Sequence, residues 1–235
     1  MNILSIIPRK LPADILEGMC DIHSHILCGV DDGVKDFDSS VLALQYFESK
    51  GVKHMTLTPH FMTGVNNDRT SIEAKFHKFK SDCSAKTGIQ LGIAAEYMMD
   101  NLFAERLEKG DILYLDTKAD KILVETSYFN PPFGLMQTLN EIKSKGFYPV
   151  LAHPERYMYM HDEAYYNNLK QKGILFQLNI GSVCGVYGKT AQQKALMLLK
   201  KDFYNYKGSD LHGMDLLQMI KSSKIPEGLR LGYED

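Results

Sequence analysis

Two histidines one residue apart, His23 and His25 in Asp21-Ile22-His23-Ser24-His25, are answered near the other end of the chain by Ser209-Asp210-Leu211-His212. In extended chain, residues two apart project from one face, so each pair can aim at a single point beyond a strand. Imidazole and carboxylate placed in this way are metal-binding groups. Between the two pairs, His60, Glu96, Glu125 and His153 add donors of the same kinds. Such donors without cysteine suit manganese, iron or zinc in a hydrolytic site, whereas structural zinc prefers thiolates. Eight residues exceed the need of one ion, and two or three ions can activate water and neutralise phosphoryl oxygens. Arg156, three residues past His153, could grip a phosphate with its guanidinium fork. The plainer reading of Arg156 is a salt bridge with Glu155 or Asp162.

These donors need elements that bring them together, and the hydrophobic patterning supplies a regular series. Strands are expected at 19–23, 54–58, 90–95, 121–125, 148–152, 174–179 and 203–207. Helices are expected after them: one capped by Asp36 or Asp38, one from about Thr70-Ser71 with Glu73 in a capping interaction, then 101–109, 135–145, 162–172, 188–201 and 214–222. Alternation of this kind argues for a parallel barrel or a doubly wound sheet. Every candidate ligand falls at the carboxyl end of an expected strand, and in a barrel those ends gather on one face. An open sheet would spread them along a line, so the ligand pattern favours closure. A lone histidine after a strand is more often structural than a ligand, and His-x-His also occurs in ordinary strands. It is the recurrence at strand after strand that makes a shared metal site the better reading. His54, His77 and His161 lie outside this register and read as structural or surface residues.

The composition fits one large domain. The chain has 235 residues, 27 basic and 29 acidic, for a net charge of −2. That balance offers no broad basic surface for a nucleic-acid backbone. No apolar stretch is long enough to cross a bilayer, so a protein that is not itself a membrane protein is expected. Residues 1–18, interrupted by Pro8 and Pro12, read as an N-terminal arm, and 19–235 as the single domain. Cys20, Cys28, Cys83 and Cys184 are scattered, which points to a reducing cytoplasm. None has Arg six residues later, which removes the Cys-x5-Arg arrangement for thiolate attack on phosphate.

The motifs resemble the polymerase-and-histidinol-phosphatase (PHP) superfamily. They are Asp-Ile-His-Ser-His, Gly29-Val30-Asp31-Asp32-Gly33, Thr58-Pro59-His60, Ala95-Glu96-Tyr97, Val124-Glu125, Ala152-His153-Pro154-Glu155-Arg156-Tyr157 and Gly208-Ser209-Asp210-Leu211-His212. Within it they look like the bacterial manganese-dependent tyrosine-protein phosphatases of capsule and exopolysaccharide operons. The likeness runs from about residue 19 to residue 213. It implies a distorted seven-stranded (βα)7 TIM-like barrel and three manganese ions, with iron or zinc as substitutes. One ion would take His23, His25, Glu96 and Asp210; a second would take Glu96, Glu125 and His153; a third Asp32, His60 and His212. It also implies that Arg156 contacts substrate phosphate. A further Arg found in some members after Ser-Asp-x-His is absent here, where Gly213-Met214-Asp215-Leu216 stands. The implied partner is a phosphotyrosine-bearing protein, a membrane-associated tyrosine autokinase, with the oligomeric state left open. The rival readings are a small-molecule phosphatase of the histidinol-phosphate kind or another PHP phosphoesterase, and a non-catalytic module that binds a phosphorylated partner.

Overall fold

The structure, a computed structural model, describes residues 8–10, 15–116 and 118–226. Its centre is a curled, parallel, nine-stranded sheet made of β2 (Cys20–Ser24), β3 (His54–Leu57), β4 (His60–Phe61), β5 (Gln90–Ile93), β6 (Glu96–Met98), β7 (Lys121–Glu125), β8 (Tyr148–Ala152), β9 (Leu175–Asn179) and β10 (Tyr206–Gly208). The order is β4-β6-β7-β8-β9-β10-β2-β3-β5. A separate antiparallel pair joins β1 (Pro8–Lys10) to β11 (Lys224–Pro226).

The sheet has nine strands where seven were expected, because β4 and β6 follow just beyond the expected strands 54–58 and 90–95. Thr58-Pro59 divides β3 from β4, and Ala94-Ala95 divides β5 from β6. Proline has no N–H for a ladder and restricts the residue before it, so a break at Thr58-Pro59 is expected chemistry. Hydrogen bonds bridge both interruptions: Ala94 N donates to Leu57 O at 2.9 Å and Glu96 N to Pro59 O at 3.1 Å. The β3·β5 pairing therefore runs on into β4·β6, the pair at the far end of the strand order, and this is what curls the sheet.

Helices cover the outside: α1 (Phe37–Ser49), α2 (Arg69–Cys83), α3 (Asn101–Lys109), α4 (Leu135–Ser144), α5 (Glu163–Gln171), α6 (Ile180–Val183), α7 (Gly188–Lys200) and α8 (Met214–Ser222). Asp36 is the cap of α1, accepting from Ser39 N. For α2 the capping residue is Asp68, not the expected Thr70-Ser71 with Glu73; Glu73 instead pairs with Arg69 at 3.0 Å. An Asp in extended backbone satisfies an orphan N–H better than a reaching Glu, which leaves Glu73 free for its i−4 partner. The short α6 and a 3-10 turn at Pro154–Arg156 are not evident from periodicity.

Leu123 packs in a small cluster with Ile22, Val150 and Ala152, while its neighbours Ile122 and Val124 join the large core beneath the helices. This alternation puts Glu125 on the same side as Leu123, toward the site. The expected arm is corrected in two respects. Pro8 does not interrupt structure but opens β1, an edge position proline tolerates, and Ile15 and Leu16 are buried in the main core. Positions 1–7 and 11–14 of that arm lie outside the described residues, as do 117 and 227–235. Among the described residues no helix is long and apolar enough to cross a membrane.

Candidate metal centre

His23 lies in β2 where the pairing with β3 slips between Asp21 and Ser24, an irregularity of the kind that re-aims a side chain. It points at the same spot as His25, their Nε2 atoms 3.2 Å apart. The other nitrogen of each ring is engaged. Gln177 Oε1 lies 2.9 Å from His23 Nδ1, and Asp31 Oδ2 lies 3.0 Å from His25 Nδ1. A carboxylate or amide oxygen accepts, so each Nδ1 carries its proton and each Nε2 is left as a lone pair. Two ring nitrogens facing each other at this distance call for positive charge between them, a proton or a metal ion.

The carboxylates converge on the same place. His23 Nε2 is 3.2 Å from Glu96 Oε2 and 3.3 Å from Asp210 Oδ1. His60 Nδ1 is 3.1 Å from Glu96 Oε2 and 3.2 Å from Glu125 Oε1, and its Nε2 faces Asp32 Oδ1 at 3.4 Å and His212 Nε2 at 3.3 Å. His153 Nε2 is 3.1 Å from Glu96 Oε1 and 4.0 Å from Glu125 Oε2. All nine residues expected as ligands thus lie around one centre, whereas His54, His77 and His161 are exposed elsewhere. Three groups have donor atoms within 4.8 Å of one another: His23, His25, Glu96 and Asp210; His60, Glu96 and Glu125; His25, Asp32, His60 and His212. In the second group His60 stands where the family pattern has His153.

The donor set passes a test for metal fit that does not depend on family. Glu96 Oε2, Glu125 Oε1, Asp210 Oδ1 and His60 Nδ1 are buried and make no well-directed hydrogen bond, only the close approaches to one another and to imidazole nitrogens given above. Buried oxygens left in this way carry a large desolvation cost, which coordination to a divalent cation offsets. The electrostatics agree. Burial alone would lower the pKa of His23, yet the charges of Glu96 and Asp210 raise it to about 10. Burial is likewise outweighed at His60, where Glu125 and Glu96 push it to about 12. Burial and then repulsion from Glu96 raise Glu125 to about 7. The site favours positive charge, and a metal ion satisfies it while leaving ring nitrogens free to coordinate.

Arg156 sits at the edge of this centre. Its Nη1 donates to Asp210 Oδ2 at 2.7 Å, so its ion-pair partner is neither Glu155 nor Asp162. Glu155 is buried, accepting from Asn179 N and the Tyr204 hydroxyl, and Asp162 caps α5. The guanidinium lies between the rings of Tyr128 and Tyr187, 4.4 and 3.9 Å from their centroids. Asn179 Nδ2 shares Asp210 Oδ2 at 2.7 Å. A cleft of about 960 Å³ opens over the centre, with Asp32, His60, Glu125, Arg156 and His212 on its polar side and Met62, Met98, Tyr128, Val186, Leu216 and Met219 among its apolar walls.

Sequence reasoning quoted Asp31 in a motif without giving it a role, and missed Gln177, Asn179 and Tyr187. Gln177 and Asn179 were the most accessible, since they repeat the two-residue spacing at the end of the sixth expected strand. Tyr187 offered no signal, because it follows a short helix that the pattern does not reveal.

A sequence model of a family described as capsular polysaccharide synthesis, CpsB/CapC, matches residues 19–219. The chain is 26% identical over 226 residues to CapC of Staphylococcus aureus, covering 92% of this chain and 86% of that protein. It is 28% identical over 200 residues to the tyrosine-protein phosphatase YwqE of Bacillus subtilis, covering 83% of this chain and 78% of YwqE. To the tyrosine-protein phosphatase CpsB of Streptococcus pneumoniae it is 29% identical over 207 residues, 84% of each chain. A crystal structure from work on YwqE and CpsB, described there as unique metal-dependent tyrosine phosphatases, superposes with a TM-score of 0.77 at 27% identity. It covers 84% of this chain and 81% of that one.

Proposed function

Because the chain belongs to the CpsB/CapC family of capsular polysaccharide synthesis, we propose that it is a metal-dependent protein-tyrosine phosphatase. The observation that carries this reading is the convergence of buried Glu96, Glu125 and Asp210 oxygens with five histidines at the floor of one cleft. Three manganese ions are proposed: one on His23, His25, Glu96 and Asp210, one on Glu96, Glu125 and His153, one on Asp32, His60 and His212. The proximity of His25 and His60 to neighbouring groups supports a compact, shared site. Bound there, divalent ions supply Lewis acidity at phosphoryl oxygens and lower the pKa of water.

The chain's own residues do the rest. Arg156, set over the rings of Tyr128 and Tyr187, is the one Arg or Lys among the described residues lining the cleft, and it is assigned to a phosphate oxygen. A tyrosine leaving group, with a pKa of about 10, needs little help from a general acid. The proposed substrate is a membrane-associated tyrosine autokinase acting in polysaccharide export, met in the cytoplasm. The fold is read as a distorted seven-stranded PHP-type barrel in which β3 with β4, and β5 with β6, are two interrupted staves. Bonds across the interruptions support that reading, and one core running from Ile15 to Ile220 supports a single domain.

The test is an assay with manganese, and again with chelator, against a phosphotyrosine peptide, a phosphoserine peptide, histidinol phosphate and an oligonucleotide. Manganese-dependent preference for phosphotyrosine is expected. Preference for the histidinol ester would overturn the tyrosine reading.

A further inference from the structure

Of the large apolar side chains standing in solvent among the described residues, the three most exposed share one face. Phe129 is 68% exposed, Phe133 106% and Met158 63%. All three belong to loops leaving the carboxyl ends of β7 and β8, the face that carries the metal centre. Tyr128, next to Phe129, lines the cleft and stacks on Arg156. Met158 is tied to the same place, because its N–H donates to Tyr128 O at 2.7 Å. The exposed lip is thus continuous with the wall of the cleft.

Its backbone and charge are also distinctive. Pro131-Pro132 fixes two φ angles in the loop, which lowers the entropy lost when something binds. Positions 126–140 contain no charged residue. We propose that Phe129, Phe133 and Met158 form a docking lip for the substrate polypeptide, gripping apolar residues that flank the phosphorylated tyrosine while its phosphate lies at Arg156. The inference rests on the phosphatase reading and names the kind of sequence it would select. A membrane surface fits less well, since the lip lacks the basic residues that attract anionic headgroups. A second copy also fits less well. Three side chains of roughly 200 Å² each fall short of the about 800 Å² per partner typical of a stable dimer.

The test uses the full chain and a triple variant, Phe129→Ser, Phe133→Ser and Met158→Ser. Substrates are p-nitrophenyl phosphate and two phosphotyrosine peptides, one flanked by Leu and Ile and one by Gly and Ser. The native chain should favour the apolar peptide about tenfold in kcat/KM, a difference of about 1.4 kcal/mol. The variant should lose that preference and keep its p-nitrophenyl phosphate kinetics. Equal use of both peptides by the native chain, or a preference surviving in the variant, overturns the proposal. So does a variant whose only change is lost binding to anionic vesicles or a lower oligomeric state. If p-nitrophenyl phosphate is not hydrolysed at all, the phosphatase reading fails instead. Fluorescence anisotropy of the labelled peptides then still decides the lip: tighter binding of the apolar one, abolished in the variant, supports it, and equal binding refutes it.

Discussion

Asp31 and Asp32 stand side by side and do different work. Asp32 is exposed and faces His60 and His212, whereas Asp31 accepts from the His25 ring and from the backbone N–H groups of His60 and Gly33. Asp31 therefore fixes the tautomer of one donor and the position of another without reaching the centre. Asp31→Ala should weaken metal binding by about ten- to a hundredfold, read by isothermal titration with manganese. Arg156→Ala should lower phosphatase activity by about a hundredfold with metal content unchanged, measured by kinetics alongside metal analysis. Unchanged kinetics would mean the phosphate is held elsewhere. At this scale the sequence revealed donors by type and spacing. It could not reveal which of two adjacent aspartates turns inward, or that Arg156 pairs with Asp210, because both depend on residues 29 and 54 positions away in the chain.

The elements position these groups by close approach and by strained turns. Gly208 in β10 runs between β2 and β9, and a Cβ there would lie 2.5 Å from His23 Cβ and 2.8 Å from Gln177 Nε2. Gly208→Ala should cost about 1–3 kcal/mol in denaturant unfolding and loosen the ion held by His23. His153 and Asp210 both have positive φ, 34° and 51°. Non-glycine residues rarely adopt that conformation without compensation, and here a turn after a strand bends each donor back over the sheet end. The expected strands and most helices were legible because alternation and amphipathic spacing are local signals. The short strands β4 and β6 were not, because two or three residues carry no alternation of their own and only pairing across the sheet defines them.

At the scale of the molecule, like charges buried together make the fold depend on what neutralises them. Glu96, Glu125 and Asp210 share one centre, so an ion bound to the folded chain alone adds about 2.7 kcal/mol at a hundred times its Kd. Chelation should lower the Tm by roughly 5–10 °C in a chain of this size, followed by calorimetry with and without manganese. An unaltered Tm would show that the centre binds nothing tightly. The hydrogen bond from Ser209 N to Asp21 Oδ1 spans 188 residues, and the centre is assembled across that seam. On the ribosome, at about 5–20 residues per second, the strand bearing His23 emerges roughly ten to forty seconds before the one that delivers Asp210. By then seven of the nine donors have emerged, and the group of His23, His25, Glu96 and Asp210 can close on an ion only when that late strand arrives.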